Sequence, residues 1–294
     1  MSANKFSIFV LHASDFLTNH QPHGDGLTAF GFISRLAERG HTLHVAAPEM
    51  DIKGDLPDNI KLYPIKTFFK RTVPHRLEYM LKSRLLLNRL RRGDGQAGNQ
   101  IDVIHQLNPV NKGLSLAVIG SGLPVVLGVV VPSWPQDAEE GAPKTPLAKR
   151  LIETLKTWAK QRLLTLQQWQ ASALLVATPA ARNNLHNAEQ VEHKIVHLPL
   201  GVDVARFYPQ TEKQSDEEPN ILFLANLWRR KGILTLLEAF ETVAEKIPNC
   251  RLTVVGSGGI EAEVHARANA MRCRPQITFI KHVTREEMPT LARQ

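Results

Sequence analysis

Apolar residues fall into two patterns along this chain: short continuous runs, and longer stretches in which they recur every three or four positions. The first pattern predicts buried strands and the second predicts helices packed on them. Phe6–Leu11 is a strand of this kind. The polar, glycine-containing loop His20–Gly26 opens a helix over Leu27–Arg39, Gly40 and His41 end it, and Thr42–Ala47 is the next strand, so the chain begins with a βαβ unit. Asp102–His105, Pro124–Val131, Leu174–Thr178 and Lys194–Leu198 predict further strands. Leu114–Ile119, the cation-rich stretch Lys149–Ala171 and the short Ala180–Leu185 predict helical segments between them.

Pro209–Pro219 breaks this rhythm with Glu212, Asp216, Glu217 and Glu218, which is how an interdomain linker reads. The expected division is a first domain over 1–208, a linker over 209–219 and a second domain over 220–294. The second repeats the alternation: strand 220–225, helix 232–246, strand 251–255, helix 260–271, strand 276–280 and a last helix from about 284. Thr284 stands three residues before Glu287, a capping-box spacing for that helix.

Composition removes several classes of protein. With 294 residues, 43% of them apolar, the chain can bury ordinary cores. Its longest apolar runs, such as Leu123–Val131, fall short of the roughly 20 residues a spanning helix needs, and no cleavable signal precedes Phe6. A cytoplasmic location is expected, with peripheral contact at the inner membrane surface as an addition to it. Cys250 and Cys273 lack metal-ligand spacing and read as reduced packing residues.

The formal charge of +8 points to an anionic neighbour. Cations gather between Lys66 and Arg92, with Glu78 as the only acid there, and Leu77, Leu81, Leu85 and Leu86 recur at helical spacing. A basic amphipathic helix on anionic lipid and a solvated surface helix both fit. Nucleic acid fits less well, because aromatic residues are 6% of the chain and do not interleave with the charges.

Candidate chemistry lies where strand 220–224 runs into Asn226-Leu227-Trp228-Arg229-Arg230-Lys231-Gly232 and strand 251–255 into Gly256-Ser257-Gly258-Gly259. A cation cluster beside bare backbone amides at one sheet edge suits a phosphorylated ligand. A nicotinamide dehydrogenase would use a similar unit, but VVGSGGIEAE lacks the G-x-G-x-x-G spacing.

The runs ILFLANLWRRKGILTLLEAF, LTVVGSGG and ITFIKHVTREEMPTLARQ resemble the nucleotide-sugar domain of family 4 glycosyltransferases, and RLAERGH and LPLGVDVARFYP resemble the same family's first domain and interdomain crossing. The resemblance implies an α/β protein of the GT-B type, two Rossmann-like parallel-sheet domains, the second incomplete. It implies retaining transfer of a sugar from a nucleoside diphosphate sugar to a glycan, lipid or small-molecule acceptor, with no further cofactor and no essential metal. Lys231 matches the lysine that stabilises the departing diphosphate; Arg229 and Arg230 stand beside it, and Asn226 occupies a place where the family has an arginine.

Gly256 and Gly258 match the turn that the nucleotide approaches, and Gly26, in His23-Gly24-Asp25-Gly26, matches a Gly-Gly loop at the donor phosphates. Asp25 is a departure, because a carboxylate repels a diphosphate unless it points away. His105, Asn108 and Trp134 are candidate acceptor contacts; a structural hydrogen bond for His105 and packing for Trp134 are the other readings. No histidine occurs in Gly128–Val131, where many members have one, and no catalytic residue is assigned.

The family's later pair of glutamates, separated by seven residues, would fall beyond Gln294. The chain therefore reads as a truncated fragment of impaired activity, with strand 220–225 exposing an unpaired edge. A non-catalytic sugar-nucleotide-binding or scaffolding member of a polysaccharide assembly system remains the alternative.

Overall fold

The computed structural model describes residues 4–11, 16–69, 73–92, 100–107, 117–131, 147–209 and 218–293. They form two compact units, with the second taking over from Gly201. Asn108, Trp134, residues 114–116 and residues 210–217 of the expected linker lie outside the described residues.

The first unit is built on a parallel sheet. Its elements in chain order are β1 (Ser7–Leu11), β2 (Leu17–Thr18), α1 (Gly24–Glu38), β3 (Thr42–Ala47), β4 (Met50–Asp51), β5 (Ile60–Pro64), α2 (Val73–Arg92), β6 (Val103–Gln106), β7 (Val125–Val130), α3 (Leu147–Gln170), β8 (Ala173–Val176) and β9 (Ile195–His197). Seven of the strands align in the order β5-β3-β1-β6-β7-β8-β9, every pairing parallel, and β2 pairs with β4 apart from them.

Strand pleating separates two apolar layers. Ile8 and Val10 of β1 turn towards Ala29, Ile33 and Ala37 of α1, while Phe9 and Leu11 turn the other way, towards Tyr79 and Leu87 of α2. The four-residue spacing of Ala29, Ile33 and Ala37 puts all three on one stripe of α1. Gln106 of β6 is on the α2 side, where its Oε1 accepts from Gln167 Nε2 of α3 at 2.9 Å. Both α2 and α3 therefore cover the same face of the sheet.

Two expectations change. The helix predicted from Leu27 starts at Gly24, because His23 caps it and draws the Gly-Asp-Gly run into the first turn. Residues 117–119, expected at the end of a helix, lie in a turn over 117–120. The strand Ile60–Pro64 was not anticipated; it is short, and its exposed Lys61 falls between buried Ile60 and half-buried Leu62.

In the second unit β10 (Asn220–Leu224), α4 (Ile233–Lys246), β11 (Arg251–Val255), α5 (Glu261–Asn269), β12 (Ile277–Ile280) and α6 (Met288–Arg293) follow the predicted alternation. The sheet is parallel with order β10-β11-β12, so among the described residues β10 is an edge strand, paired on one side only. Ile233, Leu237, Phe240 and Ala244 form the buried stripe of α4, and Cys250 and Cys273 are free thiols buried in the same core. The capping box before α6 is made in both directions: Thr284 N–H donates to Glu287 Oε2 at 2.7 Å and Glu287 N–H to Thr284 Oγ1 at 3.3 Å. These contacts hold the Glu287 carboxyl below its ordinary range, through the hydrogen bonds from Thr284.

Candidate functional site

At the C-terminal ends of β10 and β11 the two following loops are hydrogen-bonded to each other. Ala225 N–H donates to the Val255 carbonyl at 3.2 Å and Leu227 N–H to that of Ser257 at 3.0 Å; in return Ile260 N–H donates to the Leu227 carbonyl at 3.2 Å. Leu227 is fully buried among Ile233, Leu252 and Val264, and it is the one residue of the basic turn that points inward. Its burial, worth about 1.5–3 kcal/mol, fixes where the next residues emerge. Arg229–Lys231 then make a single 3-10 turn closed at Gly232, whose φ of 76° is a left-handed conformation that suits glycine.

This arrangement explains the glycines of the second loop. At Gly256, with φ 142°, a Cβ would drive into the Ala225 carbonyl; at Gly258 it would overlap the Leu227 backbone; at Gly259 it would meet the Trp228 ring at 2.7 Å. The room that the missing side chains leave is filled by the first loop. Gly256 and Gly258 are thus required by the close approach of Ala225 and Leu227, whatever a ligand asks of them.

The cations of the turn are not equivalent. Arg229 Nη2 donates to both carboxylate oxygens of Glu263 in α5 at 2.6 Å, so its charge is already compensated. Arg230 and Lys231 are exposed, as Arg229 itself is. Asn226 is exposed too, and its backbone carbonyl accepts from Trp228 N–H at 2.9 Å. The structure therefore brings Asn226, Arg229, Arg230, Lys231, Gly256 and Gly258 together on one edge. Glu263 was missed by sequence reasoning, since nothing local links it to an arginine 34 positions earlier.

The remaining candidates belong to the first unit. Gly26 is buried at the start of α1, and its N–H donates to His23 Nδ1 at 3.0 Å, so this amide is used within the chain as part of the helix cap. Asp25 is exposed in the first helical turn, where a negative charge suits the helix dipole.

His105, only 7% exposed, donates from Nε2 to the Gly128 carbonyl at 3.0 Å and meets Phe32 of α1 edge-on. Burial lowers its pKa to about 4, against a smaller opposing effect of the hydrogen bond, so the ring is neutral at neutral pH. In this position it ties β6 to β7. No group of three or more His, Cys, Asp or Glu side chains suited to a metal ion occurs among the described residues.

A family model described as Glycosyltransferase Family 4 matches residues 26–206, and one described as Glycosyl transferases group 1 matches residues 205–294. Among curated proteins, the GDP-mannose-dependent alpha-(1-6)-phosphatidylinositol monomannoside mannosyltransferase of Mycolicibacterium smegmatis is 27% identical over 101 residues, which is 32% of this chain and 26% of that protein. Its Mycobacterium tuberculosis H37Rv counterpart is 28% identical over the same shares. The chain thus matches only about a quarter of the length of these relatives.

Among solved structures, WaaG, a glycosyltransferase involved in lipopolysaccharide biosynthesis, is similar with a TM-score of 0.60 at 20% identity, over 97% of this chain and 72% of that one. Anabaena HepE in complex with UDP gives a TM-score of 0.60 at 14% identity, over 97% and 71%. These likenesses show the fold.

Proposed function

The chain belongs to glycosyltransferase family 4, and we propose that its second unit holds the diphosphate of a nucleoside diphosphate sugar while the sugar passes to an acceptor. The observation that carries this reading is the clamp between the loops after β10 and β11. Leu227 anchors it, and exposed Arg230 and Lys231 stand on its surface beside the glycine turn. A leaving diphosphate gains negative charge as the glycosidic bond breaks, and fixed cations at that position lower the barrier. Lys231 is the principal contact and Arg230 the second; Arg229 serves the clamp through Glu263.

A hexosyl donor and a lipid or glycan acceptor complete the reading, supported by the mannosyl donor and phosphatidylinositol-based acceptor that the mycobacterial relatives' descriptions give. Contact of residues 66–92 with an anionic membrane, where a lipid acceptor would be met, is part of it. Calorimetric titration of the 294-residue chain with UDP and GDP tests the site: saturable binding of one or both is expected. Absence of binding to either would remove the diphosphate reading.

A second reading, binding of a sugar nucleotide without turnover, is favoured by His105, which is buried and committed to Gly128, and by the wholly apolar β7. Donor hydrolysis separates the two, because a binding module releases no sugar.

A further inference from the structure

The basic turn after β10 carries two large apolar side chains, and they are used differently. Leu227 is fully buried and belongs to the core of the second unit, whereas Trp228, next to it, is 46% exposed and lies outside that core. The backbone of Trp228 is fixed on both sides. Its N–H donates to the Asn226 carbonyl and its own carbonyl accepts from Lys231 N–H, each at 2.9 Å. The indole and the start of the Lys231 side chain are therefore held in a constant register, one 3-10 turn apart.

The ring lies across the loop that follows β11. A Cβ on Gly259 would stand 2.7 Å from Cζ3 and 3.1 Å from Cη2 of Trp228, so the six-membered ring of the indole occupies the place of the side chain that Gly259 lacks. Gly259 is itself exposed, at the rim of the clamp. Packing there covers one part of the indole and leaves nearly half of the residue open to solvent.

An aromatic ring that is already ordered loses little freedom when a flat partner meets it, and both sides of the contact shed apolar surface. Exposed Arg230 and Lys231 follow directly in the chain. A diphosphate carries a nucleoside at one end and a sugar at the other, so a ring next to its cations could meet either. The surroundings favour the nucleoside. A hexose needs polar partners for several hydroxyls, and the backbone beside the indole is already engaged: Ile260 N–H donates to the Leu227 carbonyl at 3.2 Å and Glu261 N–H to that of Gly258 at 3.1 Å. The face of a nucleobase needs no such partners, since every base presents a π surface.

We propose that Trp228 is the stacking platform for the nucleobase of the donor, and so a binding residue of this chain in addition to its cations. The proposal rests on the diphosphate reading of the same turn and deepens it. Stacking accepts purine and pyrimidine alike, so the platform contributes affinity for both UDP and GDP.

Calorimetric titration of the full chain, of Trp228→Ala and of Trp228→Phe with UDP, GDP and inorganic pyrophosphate tests it. Trp228→Ala should weaken both nucleotides by about five-fold or more, and Trp228→Phe should retain most of the affinity. Pyrophosphate has the charge without the base, so its constant should stay within about two-fold in both variants. The chain has four tryptophans, and quenching of their emission at saturating UDP should disappear in Trp228→Phe. Circular dichroism checks that the variants remain folded, as expected for an exposed position.

Unchanged nucleotide affinity in Trp228→Ala overturns the platform and leaves the diphosphate reading standing. An equal loss for UDP, GDP and pyrophosphate shows that the indole only supports the turn, which also overturns it. If UDP-glucose weakens while UDP does not, the ring meets the sugar and the nucleobase assignment is overturned. A wild-type chain that binds neither UDP nor GDP removes the platform together with the diphosphate site.

Discussion

Replacing Lys231 by alanine removes an exposed cation from the turn after β10 and leaves the rest of the clamp in place, because Leu227, Gly256 and Gly258 carry the contacts between the loops. Hydrogen bonds to charged groups are worth about 1.5–3 kcal/mol, which corresponds to roughly 10- to 150-fold in the dissociation constant for a nucleoside diphosphate. Arg229, two residues earlier, gives the contrast. Its guanidinium already meets Glu263 at 2.6 Å. Arg229→Ala therefore removes an exposed ion pair worth about 0–1 kcal/mol of stability and should change nucleotide affinity less than about three-fold.

Glu263→Gln releases that arginine and removes a negative charge from the edge, so affinity should hold or tighten. Isothermal titration of the three variants with UDP and GDP at low and moderate salt reads all of these quantities. An Arg229→Ala chain that loses as much affinity as Lys231→Ala would refute the division of labour, and an unchanged constant in Lys231→Ala would remove the diphosphate from this turn.

Gly256→Ala places a Cβ against the Ala225 carbonyl at a φ of 142°, so it should destabilise the second unit by about 1–3 kcal/mol in urea unfolding and weaken nucleotide binding with it. Leu227→Ala empties a fully buried position and should cost about 2–5 kcal/mol, read in the same melts. His23→Ala removes the acceptor for Gly26 N–H and should lower stability of the first unit by about 1 kcal/mol. His44 and His105 are both held near a pKa of about 4, His44 by burial and then the Lys61 charge, and His105 by burial. Both are therefore less readily protonated folded than unfolded. Their stabilisation is complete above the ordinary histidine value of 6.5 and declines as pH falls towards 4, by at most about 1–2 kcal/mol per histidine down to about pH 5. Urea midpoints measured across that interval, with His105→Gln flattening the profile, check the sign.

Much of this molecule was legible along the chain. Alternating strands and helices, the parallel sheets, the buried thiols and the Thr284–Glu287 box all depend on neighbours within a few residues or on hydrophobic period, which a linear reading captures. The start of α1 was misjudged because a histidine cap substitutes for the usual Ser, Thr, Asp or Asn. The candidate site divided in the same way. Its cations and glycines could be found in order, since they follow the ends of two strands.

Their roles were decided by contacts across long separations. Glu263 takes Arg229, the backbone of Ala225 and Leu227 fills the space beside Gly256 and Gly258, and Gly128 takes His105. Residue type sets what a side chain can offer. Which of those offers is already taken depends on partners that only folding brings within reach, and for that reason the amino-acid order established the strands, helices and candidate groups while the tertiary structure alone showed that Glu263 engages Arg229.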